Sequence, residues 1–201
     1  MSTPRDLFVV AMDVELSRPV EPGDLSLALA GAEVIDLIAA QALTLDGDLL
    51  VPGGGLEPAD RLLAEAASSL TRQTPYESVE DWLWRRGRGL SAAYLADLEA
   101  EGQGTRKRRR WLPSRTGHTA PADSPARRSA ADRWASQEPV LTALATVVGI
   151  TDKSAEDFPS VTDDAVLTVL AAVDDAVTEL VAVRQRRAIE EAAFDNIWRA
   201  P

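Results

Sequence analysis

Apolar residues recur at helical spacing along most of the chain, and this pattern predicts a mainly α-helical fold. The predicted helices cover residues 24–40, 58–72, 77–87, 90–101, 125–136, 138–149 and 163–198. The last range has the most regular stripe, which repeats every three or four positions: Val166, Leu170, Val173, Val177 and Leu180. Residues 4–13 contain a short apolar run that fits either a helix or a strand.

Glycine and acidic residues mark the predicted boundaries. Asp46-Gly47 lies between two short Leu/Thr/Val runs, which predicts a tight β-hairpin. Asp24 is a candidate N-cap of the first core helix, in which Gly31 indicates close helix packing or a weak point, and Gly102 with Gly104 predicts the end of helix 90–101. We therefore expect one globular helical domain over residues 1–201, frayed at 1–3 and 200–201, with one or two small hairpins.

Composition excludes several kinds of chemistry. There is no Cys and only one His, so disulfides, Cys-ligated metals, a thiol nucleophile and a multi-His site are all excluded within one chain. No phosphate-binding loop or dinucleotide motif occurs, and we expect no cofactor and no metal. His118 lies in a proline-rich loop where nothing fixes its geometry. No enzyme class emerges from these residues, although an enzyme with a hidden site stays open.

Charge is segregated along the chain. The formal net charge is −11, which argues against a general nucleic-acid binder. Residues 82–136 nevertheless carry 12 basic and 5 acidic groups, a net charge of +7, whereas the other 146 residues carry −18. Five consecutive basic residues, Arg106–Arg110, form the centre of the positive part. Such a run favours an anionic partner.

The run is followed by Trp111 and Leu112, and the segment 105–119 has no apolar helical face. It predicts a protruding basic β-hairpin or an extended surface loop. Basic residues beside an amphipathic aromatic suit an anionic membrane surface. Single-stranded nucleic acid is the rival ligand, which the acidic remainder of the chain disfavours. A solvated loop, or pairing with the acidic body of a neighbouring subunit, is the alternative without a ligand.

Three stretches in the same order resemble the Golgi phosphoprotein 3-like family, which has many actinobacterial relatives. The first, DLSLALAGAEVIDLIAAQALTLDGDLLV, resembles its first core helix and short hairpin. The second, ESVEDWLWRRGRGLSAAYLADLEAEG, resembles a helix pair with an Arg-containing turn, and TRKRRRWLPSRTG lies where the family has a hydrophobic-tipped hairpin. The resemblance implies a mostly helical domain with a basic pocket for phosphatidylinositol 4-phosphate. An abundance of Arg over Lys is consistent with a bacterial member.

The pocket that the resemblance implies is only partly present. A family Trp and a family Arg fall on Glu21 and Ala30, and of two further Arg positions Arg88 is retained and the other is Ser91. Family members also gather cytoplasmic tails of membrane proteins, and homo-oligomers are suggested by the same analogy.

We therefore expect a non-enzymatic peripheral module on the cytoplasmic face of a membrane. Its ligand would be a phosphoinositide or another anionic lipid, and nucleic acid is not expected. The expected headgroup-binding residues are Arg85, Arg86, Arg88, Arg106, Lys107, Arg108, Arg109, Arg110 and Arg115, and the expected membrane-inserting residues are Trp111 and Leu112. The alternative is a cytoplasmic protein-interaction adaptor of the same fold without specific lipid recognition.

Overall fold

The computed structural model describes residues 2–13, 20–55, 58–106, 125–151 and 161–199, without the side chains of 102–106, 125 and 193–199. Within these residues the chain forms eight helices and one hairpin. In order they are α1 (Thr3–Asp13), α2 (Pro22–Ala39), β1 (Leu43–Asp46), β2 (Leu49–Pro52), α3 (Arg61–Ser68), α4 (Val79–Arg86), α5 (Leu90–Arg106), α6 (Pro125–Ala135), α7 (Pro139–Val147) and α8 (Asp164–Arg199). The mainly α-helical fold class is confirmed, and the segment 4–13 is a helix.

The hairpin predicted from Asp46-Gly47 is confirmed. Strands β1 and β2 pair antiparallel, with Leu45 opposite Leu50. Gly47 adopts a φ of 64°, a left-handed conformation that favours glycine in such a turn. The second predicted hairpin, over 105–119, lies outside the described residues apart from its first two positions, which belong to α5.

Two predicted helix boundaries are wrong. Helix α5 continues through Gly102 and Gly104 to Arg106, because a glycine inside a helix costs only about 1 kcal/mol and does not by itself end it. Helix α2 begins at Pro22 with Glu21 as its N-cap, so Asp24 lies in the first turn instead of capping the helix. Proline is well suited to the first helical position since its missing N–H has no partner there.

Helix α2 is the centre of the core. Nearly all of its side chains are buried, and it packs against α1, α3, α4, α5, α7 and α8. The stripe predicted on α8 packs on it, with Val173 fully buried. From α4, the indole N–H of the buried Trp82 donates to the carbonyl of Ala30 at 3.2 Å. Helix α2, which is apolar on every side, is thus surrounded by other helices of the fold.

Close packing at Gly31 explains why a glycine interrupts α2. A Cβ atom at this position would lie 2.3 Å from Cγ2 of Val173 on α8, well inside van der Waals contact. Helices α2 and α8 therefore approach each other more closely than any larger residue would allow. Of the two interpretations of Gly31 in the sequence, close helix packing is the one confirmed.

Candidate functional site

A groove of about 360 Å³ opens where the start of α2, the turn between α4 and α5, and the middle of α8 meet. Its lining combines small polar groups, apolar surface and one cation. The residues that line it include Pro22, Ser26, Trp84, Arg88, Ser91 and Leu180. One face is therefore apolar and the mouth carries a guanidinium.

The turn Gly87–Gly89 fixes the position of Arg88. A Cβ atom on Gly87 would lie 2.5 Å from the carbonyl oxygen of Leu83, in the last turn of α4, and 3.4 Å from that of Ser26 on α2, so only glycine fits at this position. Gly89 has a φ of 71°, which favours glycine as well. Arg88 is exposed between these two glycines, on a turn held by the helices on either side. Its guanidinium is thus presented from a rigid part of the fold.

Two serines connect the groove walls. The hydroxyl of the buried Ser26 donates to the carbonyl of Pro22 at 2.6 Å and lies 2.9 Å from the hydroxyl of Ser91. The backbone N–H of Ser91 donates to the same Ser26 oxygen at 3.1 Å. These bonds attach the start of α5 to the first turn of α2. The wall of the groove is consequently neutral and ordered.

Arg88 makes no hydrogen bond or ion pair with any residue that the structure describes. The other cation beside the groove, Arg184 of α8, is paired with Asp24, with one of its nitrogens 3.2 Å from the carboxylate. Arg184 therefore anchors α8 to α2, whereas none of the described side chains occupies the donors of Arg88.

Arg85 and Arg86, which the sequence placed among headgroup-binding residues, are paired with acidic groups of the fold. Arg85 donates twice to Glu77, at 2.6 and 2.7 Å, and lies over the ring of Trp82. Arg86 donates to Glu33 at 2.8 and 3.1 Å and to Glu65 at 2.7 Å. Both guanidiniums are thus already paired with carboxylates of the protein itself.

The Arg86 cluster is buried. Glu33 is fully inaccessible, and its carboxylate also accepts a hydrogen bond from the hydroxyl of Tyr94 at 3.1 Å. Burial raises the pKa of Glu33, against the opposing effects of Arg86 and Tyr94. Burial alone would lower the pKa of Arg86. The hydrogen bonds and the charge of Glu33 outweigh this effect, so the pKa of Arg86 lies above its ordinary value. This cluster joins α2, α3, α4 and α5, with Glu65 of α3 at its exposed edge.

Further arginines of the positive segment 82–136 have internal partners too. Arg133 of α6 donates to the buried Asp6 of α1 at 2.6 Å, and Arg127 donates to Asp13 at 2.6 Å. Most of the described arginines of this segment are therefore neutralised by acidic residues outside it. Among the described side chains of this segment, Arg88 and Arg128 are the arginines without such a contact.

Arg106, the first residue of the basic run, lies at the opposite end of α5 from the groove. Lys107–Arg110, Trp111, Leu112 and Arg115 lie outside the described residues, and Arg106 is the last residue of the helix. At 1.5 Å per residue, Leu90 and Arg106 are about 24 Å apart along the axis. The helix thus places the start of the run far from Arg88.

Ala30 and Glu21, at the positions where the resemblance implies pocket residues, lie in different environments. Ala30 is fully buried against α4, so this position does not face the groove. Glu21 is exposed at the N-terminus of α2.

The sequence alone did not indicate Ser26, Leu180 and Arg184 as residues in or beside the groove. The spacing of four between Leu180 and Arg184 placed them on one face of α8, and their contacts with α2 depend on tertiary packing.

A second cleft, of about 220 Å³, lies between the hairpin, α4 and α8. Four carboxylates line it: Asp48, Glu80, Asp175 and Glu179. Within the described part of the chain no group of three or more acidic or histidine side chains is arranged to hold a metal ion. The cleft is an acidic surface without a metal site.

Comparison with known proteins gives one match. The family model described as Golgi phosphoprotein 3 (GPP34) matches residues 4–199, nearly the whole chain. Searches of curated proteins and of solved structures find no match. Of the helices that the structure describes, none is long and apolar enough to cross a membrane.

Proposed function

Because the chain belongs to the Golgi phosphoprotein 3 (GPP34) family, we propose that it is a peripheral membrane module that binds anionic lipid headgroups. The family is one of binding proteins and not of enzymes. In this proposal a headgroup phosphate is held by noncovalent contacts, and no bond is made or broken.

The observation that carries the proposal is the guanidinium of Arg88 at the mouth of the groove, which pairs with no residue that the structure describes. An arginine fork can donate two parallel hydrogen bonds to a phosphate. Here the glycine-bounded turn fixes the backbone, while Trp84 and Leu180 supply apolar surface beside it. The neighbouring cations are already satisfied by Asp24, by Glu77 and by the Glu33 cluster.

The basic run Arg106–Arg110, with Trp111, Leu112 and Arg115, is proposed as a second contact. A basic residue near an anionic bilayer contributes about 1 kcal/mol. Since the backbone of Arg106, the first residue of the run, lies about 24 Å along α5 from Leu90, we propose two points of attachment to one surface instead of one shared pocket. Arg85 and Arg86 are left out of the lipid contact, since both are paired internally.

The proposed ligand class is an anionic headgroup, with phosphatidylinositol 4-phosphate as its most specific form. Ser91 stands where the resemblance implies a further arginine, and its hydroxyl bonds to the fold. One guanidinium in the groove gives less discrimination between phosphates than several would. Binding is accordingly expected to depend on surface charge and to weaken at high salt.

Vesicle flotation of the full chain tests the proposal. Three compositions are compared: neutral phosphatidylcholine, the same lipid with phosphatidylserine, and the same lipid with phosphatidylinositol 4-phosphate at equal surface charge. We expect flotation with both anionic compositions and none with the neutral one. If the protein floats with neither of the two anionic compositions at low salt, lipid binding is refuted. Equal flotation with both would restrict the proposal to charge recognition.

A protein-interaction adaptor is the second candidate, and the acidic cleft favours it. Asp48, Glu80, Asp175 and Glu179 would attract a basic peptide such as the tail of a membrane protein. Titration of an Arg-rich peptide with the parent chain and with a Glu80→Gln/Asp175→Asn variant tests this. The matched control is Glu99→Gln on the exposed side of α5. Equal affinity in all three proteins would remove the cleft from the proposal.

A further inference from the structure

The groove beside Arg88 is apolar along most of its lining. Three of the helices contribute a buried or half-buried apolar side chain to it, namely Leu27 of α2, Trp84 of α4 and Leu180 of α8. Gly23 leaves room at the edge, since a Cβ atom on this residue would lie 2.9 Å from Cδ2 of Leu180. A ligand gains free energy in this groove chiefly by placing its own apolar surface there.

The two hydroxyl groups in the groove wall already donate within the fold. The hydroxyl of Ser91 donates to the carbonyl of Pro22 at 3.2 Å, and the hydroxyl of Ser26 donates to the same oxygen at 2.6 Å. The Ser26 oxygen also accepts the backbone N–H of Ser91. A headgroup rich in hydroxyls, such as inositol, would exchange hydrogen bonds to water for few new ones in this wall, and that exchange costs free energy.

Arg88 is the cation among the residues that line the groove, and it pairs with no residue that the structure describes. A guanidinium at the mouth of an apolar groove is complementary to a molecule that carries an anionic group at one end of a hydrocarbon chain. Free phosphate has the charge without the chain, and a plain hydrocarbon has the chain without the charge. The chemistry of the groove therefore indicates an anionic amphiphile.

We propose that the groove binds one acyl chain of the anionic lipid whose phosphate Arg88 holds. This inference rests on the proposed lipid binding at Arg88 and adds the hydrocarbon part of the ligand to it. The phosphate next to the glycerol meets the guanidinium, the first methylenes of the chain lie on Trp84 and Leu180, and the rest of the headgroup stays in water. Recognition then depends on a phosphate that carries a hydrocarbon chain, more than on the kind of headgroup.

Monoalkyl phosphates test the inference in solution, without a bilayer. Isothermal titration calorimetry of the full chain compares inorganic phosphate with butyl, hexyl and octyl phosphate, each below the concentration at which it forms micelles. A fully buried methylene increases affinity by about fourfold, so octyl phosphate should bind at least about tenfold more tightly than butyl phosphate. Octyl glucoside has the same chain without the anion and should bind about tenfold more weakly than octyl phosphate.

Two variants separate the contribution of the anion from that of the chain. Arg88→Ala should weaken the binding of all three alkyl phosphates by about tenfold and keep the gain with chain length. Ala92→Phe adds a large side chain at an exposed position of the groove lining, so it should remove the gain with chain length. Ala100→Phe is the matched control, because Ala100 is exposed on the same helix and does not line the groove.

Circular dichroism reports whether each variant is folded, and the series with the parent chain is decisive without them. Equal affinity of the parent for butyl and octyl phosphate would overturn the inference, and so would a gain with chain length that a folded Ala92→Phe retains. Vesicle flotation together with equal affinities would support the proposed function and refute the acyl-chain site. A gain with chain length without flotation would support the acyl-chain site and refute attachment to a membrane.

Discussion

Arg86 holds the fully buried carboxylate of Glu33 with two hydrogen bonds, of 2.8 and 3.1 Å, between α4 and α2. The side chain of Arg86 is itself only 11% exposed. Breaking such a pair from one side leaves an uncompensated charge inside the protein, a penalty larger than the net value of the pair. Arg86 is thus a structural residue, two positions from the arginine proposed to bind lipid.

Substitution Arg86→Ala should lower the free energy of unfolding by about 3–5 kcal/mol. Its neighbour provides the control, since Arg85 is 45% exposed in its pair with Glu77. Arg85→Ala should cost about 1 kcal/mol or less. Urea denaturation of the two variants beside the parent measures both values. If both variants lose a similar free energy of unfolding, the buried Arg86–Glu33 pair contributes no more to stability than the exposed Arg85–Glu77 pair.

The buried carboxyl also predicts a pH dependence. Burial raises the pKa of Glu33 above its ordinary 4.5, so the folded state keeps this proton to higher pH than the unfolded state does. Its contribution is therefore fully present below about pH 4.5 and is lost as pH rises through the raised value. Glu33→Gln cannot titrate.

The stability of the parent minus that of Glu33→Gln should accordingly fall as pH increases from 4.5, and then become constant. Urea unfolding of both proteins across this range gives the difference directly. A difference that increases with pH would show that ion pairing dominates burial and lowers the pKa.

Gly31→Ala should destabilise the protein by about 1–3 kcal/mol, because the new methyl group would overlap Val173. Val173→Ala alone removes buried surface and should also destabilise. Combined in one chain, the two changes should cost less than the sum of the single ones, since the smaller side chain makes room. Thermal unfolding of the four proteins completes the cycle. Strict additivity would be evidence against a close approach of α2 and α8 at this point.

Removing positive charge from the basic run Arg106–Arg110 should weaken binding to anionic vesicles. Arg108→Ala/Arg109→Ala/Arg110→Ala removes three charges, each contributing about 1 kcal/mol at an anionic bilayer. Affinity for phosphatidylserine vesicles should fall by about 100-fold, and the salt dependence of binding should become less steep. Flotation across a salt series measures both. A triple variant that floats as well as the parent would exclude the run from the membrane contact.

Local patterns in the sequence were sufficient for most of the fold. Apolar spacing placed the helices, Asp46-Gly47 placed the hairpin, and Gly31 indicated close packing. The roles of the groove and cluster residues could not be predicted from local patterns, because their partners are distant in the sequence. Glu33 is 53 residues from Arg86, and Ser26 is 65 residues from Ser91. A cluster of arginines in the sequence therefore looked like one basic surface, whereas folding pairs Arg86, Arg127 and Arg133 with acids that are distant in the sequence.

The proposed lipid binding by the groove requires Arg88, and its replacement by alanine, measured on vesicles containing phosphatidylinositol 4-phosphate, gives the most direct test. The comparison is with Arg72→Ala, which removes the same charge from an exposed residue outside the groove. Loss of a charge-assisted contact should weaken the binding of Arg88→Ala by about tenfold or more, and Arg72→Ala should bind like the parent. Equal affinity of the two variants would contradict a headgroup site at Arg88.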